Sequence, residues 1–174
     1  GIGLGMIQDG APFRGAFGNA GEIGHISIVP GGRPCSCGQH GCLETYSSVH
    51  VLKERLSNAG LFDVSFDKLS ELLRDKNPVV LDWIADAAKH LAQMIAIIEN
   101  ILDPETVVLG GMLPDPLIDS LILHMDQLPI SVANRNGRML PRVLRGQTGQ
   151  FTAALGAASM PMFEVMTPKL DTNL

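Results

Sequence analysis

Four side chains in this sequence have the types and spacing of a metal site. Cys35, Cys37 and Cys42 fall in one short stretch, and His25 stands upstream of them. Three thiolates and one imidazole make a closed Cys3His set of the kind that holds a structural zinc. Four protein ligands leave no position for water and a net charge of about −1, which argues against a Lewis-acid catalyst. Residues 30–42 hold four glycines and two prolines, so they cannot form a regular element. A loop of that composition loses much chain entropy when ordered, and a structural zinc supplies on the order of 10 kcal/mol against that loss. An odd number of clustered cysteines is a poor disulfide framework and suits a reducing compartment. Spacing alone leaves a second reading open: three free thiols in a surface loop, with His25 in an unrelated strand.

Two carboxylates flank the cysteine loop. Glu22 precedes His25, and Glu44 follows Cys42. If His25 and Cys42 share one ion, the two carboxylates converge on one cleft beside an imidazole edge. Carboxylates accept hydrogen bonds and a metal-bound histidine donates one from its second nitrogen, a combination suited to sugar hydroxyls. The competing reading is that Glu22 and Glu44 are solvated loop charges.

Positioning these groups falls to the elements around them. Residues 6–13 read as a strand, an Asp9-Gly10 turn and a return strand. Residues 14–21 are a glycine-rich loop, and residues 23–29 alternate as a strand would. A helix is expected over 46–58, with Ser47 or Ser48 as its cap, and a short amphipathic one over 66–75. Asn77-Pro78 combines a cap with proline at the first helical position, and opens a helix over about 78–102. That helix is apolar on most faces, which marks it as central and buried, and Asp103-Pro104 ends it. A short strand over 106–109 runs into Gly110-Gly111. A helix from Asp115-Pro116 to about 127, an edge strand over 142–145 and a small-residue helix over 150–159 follow. Alternating strands and helices in this half point to an α/β fold.

Composition sets the outer bounds. The chain has 174 residues, with 45% hydrophobic and 18% charged, so extended disorder is not expected. Its formal charge is −5 and it has no basic run, which disfavours direct binding of nucleic acid. No apolar run reaches the ~18 residues a membrane span needs, and no signal peptide is visible. Cytoplasm is the expected compartment. No initiator methionine precedes Gly1, so the chain reads as a piece of a longer protein. His50, His90 and His124 fall on expected helices and read as surface or core-edge residues, His40 as exposed. Trp83 reads as packed on the long helix. Arg142, Arg145 and residues 134–138 form the only mildly basic area, read as a solvated loop.

Gly21-Glu22-Ile23-Gly24-His25, followed by Cys35-Ser36-Cys37-Gly38-Gln39-His40-Gly41-Cys42-Leu43-Glu44, resembles the signature of the ROK family (repressors, open reading frames and sugar kinases). Gly1-Ile2-Gly3-Leu4-Gly5 is similar to the end of that family's second phosphate loop. Val107-Val108-Leu109-Gly110-Gly111 is similar to its adenosine-side motif, and Leu155-Gly156-Ala157-Ala158 to its final helix. The resemblance runs over nearly the whole chain. It implies an actin-like, ribonuclease H-type α/β fold of two lobes, of which residues 1–174 would be the C-terminal lobe. Within it, 19–46 would be the zinc and sugar loop, 47–102 a helical segment and 103–160 the nucleotide-side α/β segment. It implies zinc on His25, Cys35, Cys37 and Cys42, and sugar contacts from Asn19, Glu22, His25 and Glu44. Nucleotide, where one binds, would approach Gly1, Gly3, Gly110 and Gly111.

The family's first phosphate loop and its catalytic aspartate have no counterpart in these residues, so the resemblance assigns no catalytic residue here. Two functions stay open. One is the effector lobe of a sugar-responsive transcriptional regulator, which would reach DNA through an N-terminal module outside this chain. The other is the C-terminal lobe of an ATP- and Mg2+-dependent sugar kinase of glucokinase, fructokinase or N-acyl-hexosamine kinase type. In both the ligand is a monosaccharide or amino sugar, and a homodimer is expected. The tail at residues 155–163 and the loop at 18–22 look more like the regulators.

Overall fold

The computed structural model describes residues 1–125, 128–149 and 151–166. Its centre is α4 (Pro78–Leu102). The Asn77 side chain accepts from the amides of Val79 and Val80, two donors that a helix start leaves without partners, and Pro78 needs none. Val80, Trp83, Ile84, Ala87, Ala88 and Leu91 line its buried length, and Trp83 is fully buried as expected. The helix stops where Asp103 turns left-handed, at φ 43°.

Among the described residues, the short α1 (Glu44–Ser47) and three longer helices pack against it. α2 (Val49–Asn58) is capped by Ser48 and α3 (Phe66–Arg74) by Ser65. α5 (Asp115–Leu123) supplies Leu117, Ile118 and Leu121, which join Leu52, Leu56, Leu69 and Trp83 in one continuous core. Among the described residues no helix is long and apolar enough to cross a membrane.

Among the described residues, two small sheets complete the fold. β1 (Ile7–Gln8) and β2 (Ala11–Pro12) form the antiparallel hairpin expected around Asp9-Gly10. β3 (Val107–Gly111) pairs in parallel with β4 (Val143–Thr148), Val107 opposite Val143 and Leu109 opposite Arg145, with a register shift before Gly111. Parallel strands need a long crossover, and here it carries α5. The last described element is α6 (Thr152–Met166).

Several expectations need correction. Residues 23–29 are not a strand. They form a 3-10 turn (Ile23–His25), followed by a single bridge between Ser27 and Cys42. The cause is close backbone approach. The Leu4 amide donates to Gly21 O at 2.8 Å, and a Cβ on Gly24 would stand 2.4 Å from Ile2 O. A turn against another segment, rather than a ladder, satisfies this stretch.

The helix expected over 46–58 is two helices. α1 (Glu44–Ser47) comes first, and the chain then extends at Ser48 before α2 begins. Ser48 is the cap, while Ser47 donates to Ala87 O on α4. α5 ends at Leu123, earlier than expected, and residues 126–127 of the expected helix lie outside the described residues, as does residue 150. α6 runs on to Met166, past the expected end at 159. β4 is longer than the expected 142–145.

The basic area is not a free solvated loop. Arg142 binds the buried Glu99, Arg145 bridges Asp115 and Asp119, and Arg135 pairs with Asp103.

Candidate metal centre and adjoining cleft

The cysteine loop folds as a knuckle. Pro34 and His40 form an antiparallel bridge, the Cys35 amide donates to Gln39 O at 2.9 Å, and the Gly38 amide donates to Cys35 O at 3.0 Å. Cys35 and Cys37 project from this knuckle. Cys42 lies on the return segment, fully buried. There the Leu43 amide donates to Ile26 O at 3.0 Å, which draws the end of the 3-10 turn alongside. Gly41 makes the return possible. Its φ is 79°, and a Cβ there would stand 1.8 Å from Val29 O.

The turn thereby brings His25 to the three sulfurs. The ligand atoms of His25, Cys35, Cys37 and Cys42 all lie within 4.8 Å of one another. His25 Nδ1 is 3.5 Å from Cys35 Sγ, and Cys37 Sγ is 3.7 Å from Cys42 Sγ. A tetrahedral zinc with its usual bonds to sulfur and nitrogen has edges of roughly 3.4–3.8 Å. The His25–Cys35 and Cys37–Cys42 separations fit that figure, and the cluster of four could hold a metal ion.

The protons on the cluster are unevenly held. Burial pushes the Cys42 thiol up to about 12, and the neighbouring Cys37 and Cys35 sulfurs add to the rise. The Gln39 backbone amide holds the Cys37 thiol below its ordinary value. The hydrogen bond with Cys35 raises the His25 imidazole. Burial works against it and the Glu44 carboxylate reinforces it. A cation among these groups would draw off the remaining thiol protons, since a coordinating thiol is deprotonated outright.

Glu44 opens α1 beside the cluster. Its Oε1 lies 3.9 Å from His25 Nδ1 and 3.8 Å from Cys35 Sγ. It also lines a cavity of about 760 Å3 with Gly1, Arg33, Ser36, Thr45 and His50. Gly1 leaves the carboxylate edge clear, because a Cβ there would stand 3.3 Å from Glu44 Oε2. Asn19 and Glu22 stand exposed on the loop before His25, and of the four expected sugar contacts Glu44 alone lines that cavity. Glu22 acts on His25 through space, more weakly than Glu44. Gly3 lines a separate cavity of about 600 Å3 against Thr106, Val107 and Val108, while Gly110 and Gly111 close the end of β3. His40, His50 and His124 are exposed, and His90 is half-buried against Tyr46. Arg33 and Tyr46, which tie the knuckle to the helices, carried no sequence signal of their own.

The family model of the ROK family matches residues 1–162. The DNA-binding transcriptional dual regulator NagC of Escherichia coli is 31% identical over 137 residues, which cover 70% of this chain and 34% of that protein. The crystal structure of a ROK hexokinase from Thermus thermophilus superposes with a TM-score of 0.69 at 29% identity, covering 96% of this chain and 56% of the other. A ROK family glucokinase from Streptomyces griseus, in complex with glucose and AMPPNP, superposes with a TM-score of 0.65 at 29% identity, covering 90% and 56%. The mixed α/β architecture is that of these kinases, an actin-like ATPase fold. The chain spans about a third of the length of the curated relatives it matches. A signature-bearing Cys/His cluster, the fold around it and a match over residues 1–162 together make this chain a member of the ROK family.

Proposed function

We propose that this chain is the sugar-binding, zinc-stabilised lobe of a two-lobed ROK protein, and that the sugar acts as the effector of a transcriptional regulator. The observation that carries the sugar reading is Glu44. Its carboxylate stands against the His25 imidazole and opens on the 760 Å3 cavity. With Nδ1 turned toward the sulfurs, His25 keeps Nε2 for a hydroxyl, and the metal fixes the ring that presents it. Asn19, Glu22 and Glu44 supply further polar contacts to a monosaccharide or amino sugar. Zinc on His25, Cys35, Cys37 and Cys42 is structural in this reading and takes no part in chemistry.

The likeness to NagC, a DNA-binding regulator, supports the regulator reading. DNA contact would fall to residues outside these 174, whose formal charge is −5. A second reading is supported by the glucokinase that binds glucose and AMPPNP. In it, Gly1, Gly3, Gly110 and Gly111 let backbone approach a nucleotide, and ATP with Mg2+ would be required. A homodimer is part of the proposal in either case.

Calorimetry with glucose and N-acetylglucosamine on wild type and Glu44→Gln tests the sugar site. Saturable binding that disappears in Glu44→Gln, with helix content and metal content unchanged, is the expected result. Equal binding by both proteins would remove Glu44 from the site. On the natural full-length protein, sugar-dependent release of ADP from ATP would replace the regulator reading with the kinase reading.

A further inference from the structure

We propose that Arg33 and Tyr46 form a clamp that sets the geometry of the metal loop from outside the ligand set, which makes both of them positioning residues. The proposal rests on the reading of His25, Cys35, Cys37 and Cys42 as a metal site.

The loop needs such a device. Residues 30–40 are all exposed or half-buried, so no apolar core orders them. Arg33 meets this need at several points at once. Its amide donates to Tyr46 Oη at 2.9 Å, and its carbonyl accepts from the Gly41 amide at 2.7 Å. Its Nη1 donates to Thr45 O at 2.9 Å, and its guanidinium carbon sits 4.8 Å from the centre of the Tyr46 ring. One residue therefore ties the start of the loop to its end and to α1.

Tyr46 is fixed in turn from below. Its ring centre lies 4.8 Å from that of His90 on α4, at a tilt of 54°. Gly32 admits the hydroxyl, since a Cβ there would stand 2.1 Å from Tyr46 Oη. A physical path thus runs from the central helix through Tyr46 and Arg33 to Cys35, two residues further on. Neither clamp residue is a ligand. Their effect is to hold the Cys35 and Cys37 sulfurs where His25 and Cys42 already stand, so that binding a metal costs little further ordering. Glu44, between Cys42 and Tyr46, is set by the same clamp.

The test uses Co2+, whose visible bands report a tetrahedral thiolate site, titrated into the whole chain against a competing chelator. Tyr46→Phe keeps the ring contacts and removes the hydroxyl that Arg33 binds. It is expected to weaken Co2+ affinity roughly tenfold and to shift the ligand-field bands, with little change in the urea midpoint of the metal-free chain. Gly32→Ala, whose Cβ would crowd the hydroxyl at 2.1 Å and also Val29 O at 2.9 Å, should weaken binding in the same direction, and the two changes together should cost less than their sum. Arg33→Ala, at an exposed position, should weaken binding severalfold even if a Tyr46 variant folds poorly. Wild-type affinity and unaltered bands in Tyr46→Phe and Arg33→Ala would overturn the clamp. So would a loss of affinity that only follows the loss of metal-free stability. A wild-type chain that binds neither Co2+ nor Zn2+ would sink the metal reading itself, and the clamp with it.

Discussion

Glu99 shows how one residue can depart from the character of its element. It lies on the apolar central helix, 1% exposed, where an unpaired carboxylate would be very costly. Arg142 answers it with two hydrogen bonds, Nε to Oε1 at 2.8 Å and Nη2 to Oε2 at 2.5 Å, and Ser131 donates to Oε2 at 2.6 Å. Burial by itself would raise this carboxyl, but the bonds from Arg142 and Ser131 outweigh it, and the group titrates below the usual carboxylate range. The folded chain therefore takes up this proton less readily than the unfolded one. The pair's stabilisation is complete above the unfolded value of about 4.3 and is lost as pH falls through the lower folded value. Glu99→Gln leaves Arg142 without its counter-charge and should cost about 3 kcal/mol at neutral pH. It should also flatten the pH dependence of the urea midpoint on the acid side. Urea unfolding of both proteins across that range checks both statements, and an unchanged acid slope would show that Glu99 does not carry it. The sequence marks the helix that carries Glu99 as buried and Arg142 as part of a solvated loop, with nothing to join the two. Their pairing spans 43 positions, which no local pattern encodes.

At the scale of elements, what was legible is what is local. Asn77-Pro78 places the start of α4 because the cap is a contact between neighbours, with Asn77 Oδ1 3.0 Å from the Val79 amide. Asn77→Ala should destabilise the chain by about 1 kcal/mol, and Asn77→Gly by only a few tenths. Thermal melts of the two variants measure the difference, and equal losses would mean that the side-chain cap contributes nothing. The hairpin at Asp9-Gly10 was legible for the same reason, since both turn residues have positive φ there. Residues 23–29 alternate as a strand would, but their neighbours are not those of a sheet. Gly21 and Gly24 press against the backbone of residues 4 and 2, and that contact is invisible in a short window. The length of β4 was missed likewise, as its partner β3 lies across a crossover. The break at Ser48 escaped because Ser47 and Ser48 are equivalent as caps until α4 is in place to accept from Ser47.

Over the whole molecule, the chain divides into a helical body with its own apolar core and a loop region that has almost none. The core gathers α2 to α5, and it meets the loop region where Cys42 and Leu43 lie side by side, both fully buried. The fold gathers the ligand atoms of His25, Cys35, Cys37 and Cys42 within 4.8 Å of one another, and these candidate ligands could be picked out in the sequence by residue type, spacing and family resemblance together. The clamp that aims them could not, because Arg33 and Tyr46 gain their roles only through α4. This division predicts how the molecule responds to metal removal. A chain loaded with one equivalent of Zn2+ should protect the amides of Gly32, Cys35, Gly38 and Gly41, which donate within the loop. A chelator should release those amides to solvent exchange while the α4 amides keep their protection, since the apolar contacts of Trp83, Ile84 and Leu91 owe nothing to the ion. Hydrogen exchange followed by mass spectrometry, with and without chelator, makes the comparison. Faster exchange in α4 in step with the loop would mean that Cys42 and Leu43 couple the two parts into one cooperative unit. The metal would then hold the helical body as well as the knuckle, and loss of zinc would unfold the chain rather than merely open its cleft.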